Sequence, residues 1–189
     1  ELGHKTKHKT KTFFAHIMLL TAIQNHFIPY HNGGHHRDVA TPDDLSSAKE
    51  GDIFYFFALR SQIGGYFKTW KLEFQRLKAS GKNVLLNPMI LYTILPLILF
   101  LLIFNFYGIK VTFIYFLTAV YGISVLEAQN YFSHYGLRRK ILENGRYERV
   151  KPYHSWNSDH LIGRILLFEL TRHSDHHHSG SKPYQILDS

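Results

Sequence analysis

Residues 84–106 read VLLNPMILYTILPLILFLLIFNF, a run of 23 residues without a charged side chain. At about 1.5 Å of rise per residue, a helix of that length covers roughly 34 Å. That is enough to cross a hydrocarbon core of about 30 Å. Pro88 and Pro96 would weaken a helix in water but are tolerated in lipid, where neighbours satisfy the freed carbonyls. A short link, Tyr107-Gly108-Ile109-Lys110, leads into residues 111–126, again uncharged, and the helical pattern continues through Glu127 to Tyr131. The sequence therefore predicts a transmembrane helical hairpin with arms at 84–106 and 111–131.

Charge gives the hairpin its orientation. The outer turn carries only Lys110, whereas Lys68, Lys71, Arg76, Lys78 and Lys82 precede the hairpin and Arg138, Arg139 and Lys140 follow it. The positive-inside rule places both ends in the cytoplasm, in a bacterial inner membrane. Upstream, residues 13–29 form a shorter apolar stretch carrying His16 and His26, which is compatible with a short span, a re-entrant piece or an interfacial helix. Residues 37–52 read as a polar loop. From 53 to 77 the pattern is amphipathic, with Phe54, Phe57, Phe67, Trp70, Phe74 and Leu77 set against Lys and Arg, and predicts a helix along the membrane surface. Residues 140–158 are polar and turn-rich, and 161–170 read as a helix running straight into His173. The fold class expected is all-α: one integral membrane helical bundle over residues 1–189.

Composition narrows the chemistry. The 22 Lys and Arg outnumber the 14 Asp and Glu, but they flank apolar spans and form no stripe interleaved with base-stacking aromatics. They suit membrane lipid headgroups, not nucleic acid. There is no cysteine, which excludes thiolate-ligated zinc, iron–sulfur clusters, disulfides and a cysteine nucleophile. No G-x-G-x-x-G or P-loop pattern is present, so any electrons for redox work must come from another protein. The chain opens at Glu1 without an initiator Met and ends soon after its last histidine cluster, as an internal fragment of a longer protein would.

The histidines carry the functional signal. They concentrate in His31-Asn32-Gly33-Gly34-His35-His36, in a single His134 within NYFSHYG, and in His173-Ser174-Asp175-His176-His177. Imidazole is the commonest nitrogen ligand for a redox metal. On a helix, His31 and His35 at i, i+4 would aim two rings the same way, and the HSDHH cluster offers i, i+3 and i+4 partners. His134 falls at the cytoplasmic end of the second arm, with Glu127 and Tyr131 on the same helix face. Glu127 is then a candidate to accept a hydrogen bond from a liganding imidazole. His26, His160 and Asp175 are further candidates to hold such rings in place. His8 sits in a lysine run and His178 extends a cluster. An all-histidine set without thiolate suits iron, copper or zinc. Its size exceeds what one four-coordinate ion needs, so two metals are expected, and iron is the usual choice for activating oxygen.

Taken in order, ELGHK, HNGGHHRDVATP, NYFSHYGL and WNSDHLIGRILLFELTRHSDHH resemble the membrane-bound alkane 1-monooxygenases, relatives of the fatty-acid desaturases and xylene monooxygenase. The resemblance runs from Glu1 to about Leu187. It implies a centre of two non-haem iron ions ligated by His4, His31, His35, His36, His134, His173, His176 and His177. The family's first box reads HE-x-x-HK, so one further ligand would precede Glu1. It also implies dioxygen inserting one atom at a terminal methyl of a medium-chain alkane, with electrons from rubredoxin and rubredoxin reductase. The chain departs from the family pattern at Tyr30 and Ser133, where Glu is usual, and at Thr171, where Gln is usual. These departures bear on substrate more than on metal. A related lipid desaturase or methyl hydroxylase is the near alternative, and a non-catalytic membrane metal-binding protein the distant one.

Overall fold

The computed structural model describes residues 8–180 and 182–188. Its elements in chain order are α1 (Lys9–Thr21), α2 (Phe27–Tyr30), a π-turn (His31–His35), α3 (His36–Asp38), α4 (Phe54–Ala79), α5 (Pro88–His134), α6 (Leu161–Leu166) and α7 (His173–His178). Among the described residues the only β pairing is one isolated antiparallel bridge, Ile141 with Tyr147. The fold is all-α.

α5 begins where the chemistry allows it. The Asn87 side chain accepts a hydrogen bond from the Met89 amide at 2.9 Å, and Pro88 occupies the first helical position, where no amide donor is needed. Within α5, Gly108 has φ 74° and ψ 178°. That conformation is open to glycine and costly for any residue with a Cβ. It breaks the helix into arms 88–107 and 109–134, which fold against each other, with the Phe100 and Tyr115 rings 5.2 Å apart across the turn. The four-residue link expected from sequence thus contracts to a single residue. The arms span about 30 and 39 Å. Only 11% of the most apolar 18-residue window is buried. A helix this apolar and this exposed is built to face lipid or further transmembrane segments, and the chain is a membrane protein by that criterion.

Inside and outside are inverted relative to a water-soluble bundle. Phe56, Leu59, Ile63 and Phe67 of α4 are exposed, while its buried row is Phe57, Ser61, Gly65, Thr69, Glu73 and Leu77. The small members of that row let the histidine-bearing segment approach closely. A Cβ on Gly65 would lie 3.3 Å from Cζ of Tyr30. Tyr30 fills this contact and bonds Ser46 Oγ at 3.0 Å through its hydroxyl.

Beyond α5 the chain folds back over the 37–52 loop. The Gly136 amide donates to the Ala48 carbonyl at 3.0 Å and the Arg139 amide to that of Ala40 at 2.8 Å. The Arg139 guanidinium then clasps both sides, donating to the carbonyls of Arg37 at 2.8 Å and Glu148 at 3.1 Å. Replacing Arg139 by Leu deletes both bonds while keeping the apolar stem. We expect a loss of about 1–2 kcal/mol, read as a lower unfolding midpoint in a denaturing-detergent titration.

The 13–29 stretch, which the sequence left open, is not one continuous helix: α1 stops at Thr21, and Ile23 adopts φ 60° before α2 begins. Residues 161–170 do not run straight into His173 either. α6 ends at Leu166, Phe168 and Glu169 take φ 51° and 60°, and Arg164 closes the reversal by donating to both Glu169 oxygens at 2.8 and 3.0 Å.

Candidate metal centre

Four pieces of backbone deliver the histidines. The π-turn supplies His31 and His35, α3 supplies His36, the end of α5 supplies His134, and α7 supplies His173, His176 and His177. The loop at 37–52 closes the site from behind.

The π-turn decides how the HNGGHH cluster is used. The His36 amide bonds the His31 carbonyl, five residues back, so this turn holds one residue more than an α-helical turn. In a regular α-helix, residues five apart point in different directions. Here His31 and His36 meet, with their Nε2 atoms 3.0 Å apart, and His35 turns to another group. The i, i+4 pairing of His31 with His35 expected from sequence is replaced by this i, i+5 pairing. α7 keeps ordinary helical spacing, and His173 and His177 meet at 3.0 Å through Nε2. His134 reaches the same place from α5, its Nε2 3.1 Å from that of His173.

The outcome is two neighbouring groups. His35, His134, His173 and His177 form one, all buried, and His31, His36 and His176 form the other; within each group the donor atoms lie within 4.8 Å of one another. The groups touch, since the His36 and His177 rings are 4.3 Å apart.

The far side of each ring fixes its orientation. His35 Nδ1 lies 2.8 Å from Asp44 Oδ2, and the Asp44 side chain is fully buried. The Ser47 hydroxyl and the Ser46 amide also donate to that carboxylate, at 2.6 and 3.1 Å. Burial alone would raise the Asp44 pKa, but the His35 pairing and these donors outweigh it and hold the carboxyl below its ordinary value. His173 donates from Nδ1 to the Leu170 carbonyl at 3.2 Å, and His134 Nδ1 faces Ser155 Oγ at 3.4 Å. Burial also lowers the pKa of His173 and His177 well below the usual imidazole value, which keeps both rings neutral.

These contacts test the fit to a metal. With Nδ1–H committed to Asp44 and Leu170, the Nε2 atoms of His35 and His173 present lone pairs inward. His35 Nε2 is buried and has no hydrogen-bond partner among the described residues. Without an ion, nitrogens about 3 Å apart can only share a proton as N–H···N; a cation placed between them takes both lone pairs as ligands. Donors about 2.1 Å from one ion and at right angles sit about 3.0 Å apart, the spacing found here. The arrangement therefore fits metal binding. We expect chelation to lower the unfolding midpoint of the protein and metal re-addition to restore it, because an ion held by histidines from several segments binds the folded chain and not the unfolded one.

The remaining sequence-derived candidates fall in different places. His4 lies outside the described residues. The Glu127 side chain is buried beside the centre and accepts from Gln62 Nε2, not from an imidazole. His26 packs edge-on to Tyr66 with ring centres 5.5 Å apart. His160 is exposed at the start of α6. Asp175 accepts from Lys182 Nζ at 2.6 Å and from the Asp188 amide at 2.8 Å, tying down the end of the chain. Ser133 is buried and its hydroxyl accepts from Gln129 Nε2 at 2.7 Å. Sequence reasoning missed Asp44; its signal was an acidic pair, Asp43-Asp44, a short polar loop after the double histidine.

An all-helical apolar scaffold with paired histidine groups at the base of a long hairpin marks a membrane protein with a candidate polyhistidine metal site. The fatty acid desaturase family model matches residues 1–189, and the chain belongs to that family. It is 41% identical to an alkane 1-monooxygenase of Ectopseudomonas oleovorans and 42% identical to alkane 1-monooxygenase 1 of Alcanivorax borkumensis; each alignment covers 98% of this chain and 47% of the relative. The hydroxylase component of a xylene/toluene monooxygenase from Pseudomonas putida is 28% identical over 79% of this chain and 40% of its own length. The chain spans about half the length of the curated relatives it matches.

Proposed function

We propose that this chain forms the histidine-bearing part of a membrane non-haem diiron monooxygenase that hydroxylates the terminal methyl of medium-chain alkanes. The observation that carries the reading is the pair of adjacent histidine groups beneath an apolar hairpin. The names of the relatives give the substrate class.

The reaction is RH plus O2, two electrons and two protons, giving ROH and water. Two iron ions, when bound, supply the activation of dioxygen. His35, His134, His173 and His177 would hold one iron and His31, His36 and His176 the other, with His4 as a further ligand. Asp44 and the Leu170 carbonyl fix the tautomer and direction of their imidazoles. An alkane offers no polar group, so its orientation comes from apolar walls; the hairpin arms 88–107 and 109–134 provide part of them. Glu148, His154 and Tyr153 brace the loop behind His134, with the Tyr153 hydroxyl donating to Glu148 at 3.1 Å.

The chain carries no nucleotide motif and no cysteine, so the electrons are proposed to come from rubredoxin and its reductase at the cytoplasmic face of a bacterial inner membrane. The basic residues at both hairpin ends support that orientation. In membranes supplied with octane, NADH, rubredoxin and rubredoxin reductase under oxygen, we expect 1-octanol that depends on iron and on rubredoxin. Two bound irons without any alcohol would reject the alkane assignment, and a double bond in an acyl chain would favour a lipid desaturase.

A further inference from the structure

Beside His31 and His35, α2, α4 and α5 enclose a small cavity that the metal-ligand assignment does not use. It leaves about 10 Å³ for the centre of a water molecule, close to the room that one water needs. Its wall is polar where it matters. Tyr30, Ser46, Ser61, Gln62, Glu127 and Asn130 line it, with Phe27 and Leu126 as its apolar members.

Glu127 is the informative member. The residue is 1% exposed, one carboxyl oxygen accepts from Gln62 Nε2, Ser61 and Asn130 stand beside the carboxyl, and the other oxygen, Oε2, is buried without a direct hydrogen bond of good geometry among the described residues. A buried carboxylate oxygen without a donor is destabilising by a few kcal/mol, and native interiors relieve it with protein or water. Gln62 cannot turn to help, because its Oε1 accepts from Gln24 Nε2 at 2.7 Å. A second set of polar atoms reaches the same space. The Tyr30 hydroxyl meets Ser46 Oγ at 3.0 Å, and Ser46 meets Ser61 Oγ at 2.9 Å. A buried water takes two to four polar partners, and Oε2 with the two serine hydroxyls supplies that number.

We propose that this cavity is a built site for one ordered water, held by Glu127 Oε2 and the Ser46–Ser61 hydroxyl pair directly against His31 and His35. Glu127 is thereby a positioning residue: it acts through the water, not on an imidazole. The water places a hydrogen-bond donor beside the histidine groups and joins Glu127 to the serine pair. Nothing in the assignment depends on which substrate is oxidised, because occupancy of the cavity is the readout.

The test is a structure of the iron-loaded protein in lipid nanodiscs, at a resolution that shows ordered waters, with the Glu127→Gln and Glu127→Leu variants beside it. We expect one density peak within hydrogen-bond distance of the Glu127 carboxylate. It should persist in Glu127→Gln, which keeps a polar end, and vanish in Glu127→Leu, with iron content the same in all three. No peak in the unmodified protein overturns the site. A peak that survives in Glu127→Leu overturns the role of Glu127. Should the leucine variant fail to fold, Glu127→Met, closer in length and flexibility, replaces it, and the same two outcomes apply.

Discussion

His134→Ala is expected to lower the iron content from about two ions per chain to about one, and alkane hydroxylation should fall below detection. His134 is fully buried and is the member of its histidine group that α5 supplies. Its Nε2 stands 3.1 Å from that of His173, and the rings of His35 and His177 pack on it at 4.9 and 4.8 Å. Alanine removes a donor from the middle of the group, and the one imidazole of the two clusters outside both groups, His178, faces the Val150 carbonyl instead. The neighbouring group of His31, His36 and His176 keeps its own donors, so one ion should remain. His178→Ala is the matched control: His178 is exposed and belongs to neither group, so both ions should stay. Iron quantification on purified protein reads the result, and two ions retained in His134→Ala would remove His134 from the ligand set.

Asp44→Asn should weaken metal binding by about 10–100-fold without removing any ligand. The carboxylate holds His35 at Nδ1, and it is itself held by the Ser47 hydroxyl and the Ser46 amide. An amide at this position is neutral and brings its own N–H₂ group against those donors. The His35 ring then loses both its fixed direction and the charge that strengthens Nε2 as a ligand. Competition with a chelator of known affinity measures the change. Asp43→Asn, one residue away on an exposed side chain, should leave affinity as it was. Equal affinities for all three proteins would mean that the 37–52 loop packs on the centre without tuning it.

The long uncharged run was legible because lipid imposes a simple rule on it: twenty or so apolar residues with every backbone group satisfied inside a helix. The single residue that turns the hairpin was less so. Four residues at 107–110 looked like a link, and glycine at 108 alone makes the reversal. The grouping of the histidines was only partly legible. Local spacing brings His173 and His177 together on α7, as i, i+4 geometry dictates. It fails at His31–His35, because a widened π-turn is not written in any periodicity and its effect is to exchange one histidine between the groups. Asp44 escaped notice because a carboxylate in a polar loop looks solvated until the fold buries it. Glu127 was visible as an acid deep on an apolar helix, although its hydrogen bond runs to Gln62, a partner far off in sequence. The break between α6 and α7 was hidden as well, since Phe168 and Glu169 give no sign of their positive φ.

The inverted burial pattern and the metal centre belong to one design. Apolar side chains on α4 and α5 point outward, which leaves the inside of this bundle free for histidines, serines and carboxyls. Such groups are costly to bury singly and stable as a connected network. That network holds the imidazoles in place before any ion arrives.

The central claim is that two adjacent histidine groups bind two irons. The most direct measurement is Mössbauer spectroscopy of the purified protein loaded with ⁵⁷Fe, with iron counted per chain. We expect about two ions per chain, both ligated by nitrogen and without sulfur, with His134→Ala losing the signal of one while the other persists. A single ion per chain in the unmodified protein, or two whose signals His134→Ala leaves unchanged, would contradict it.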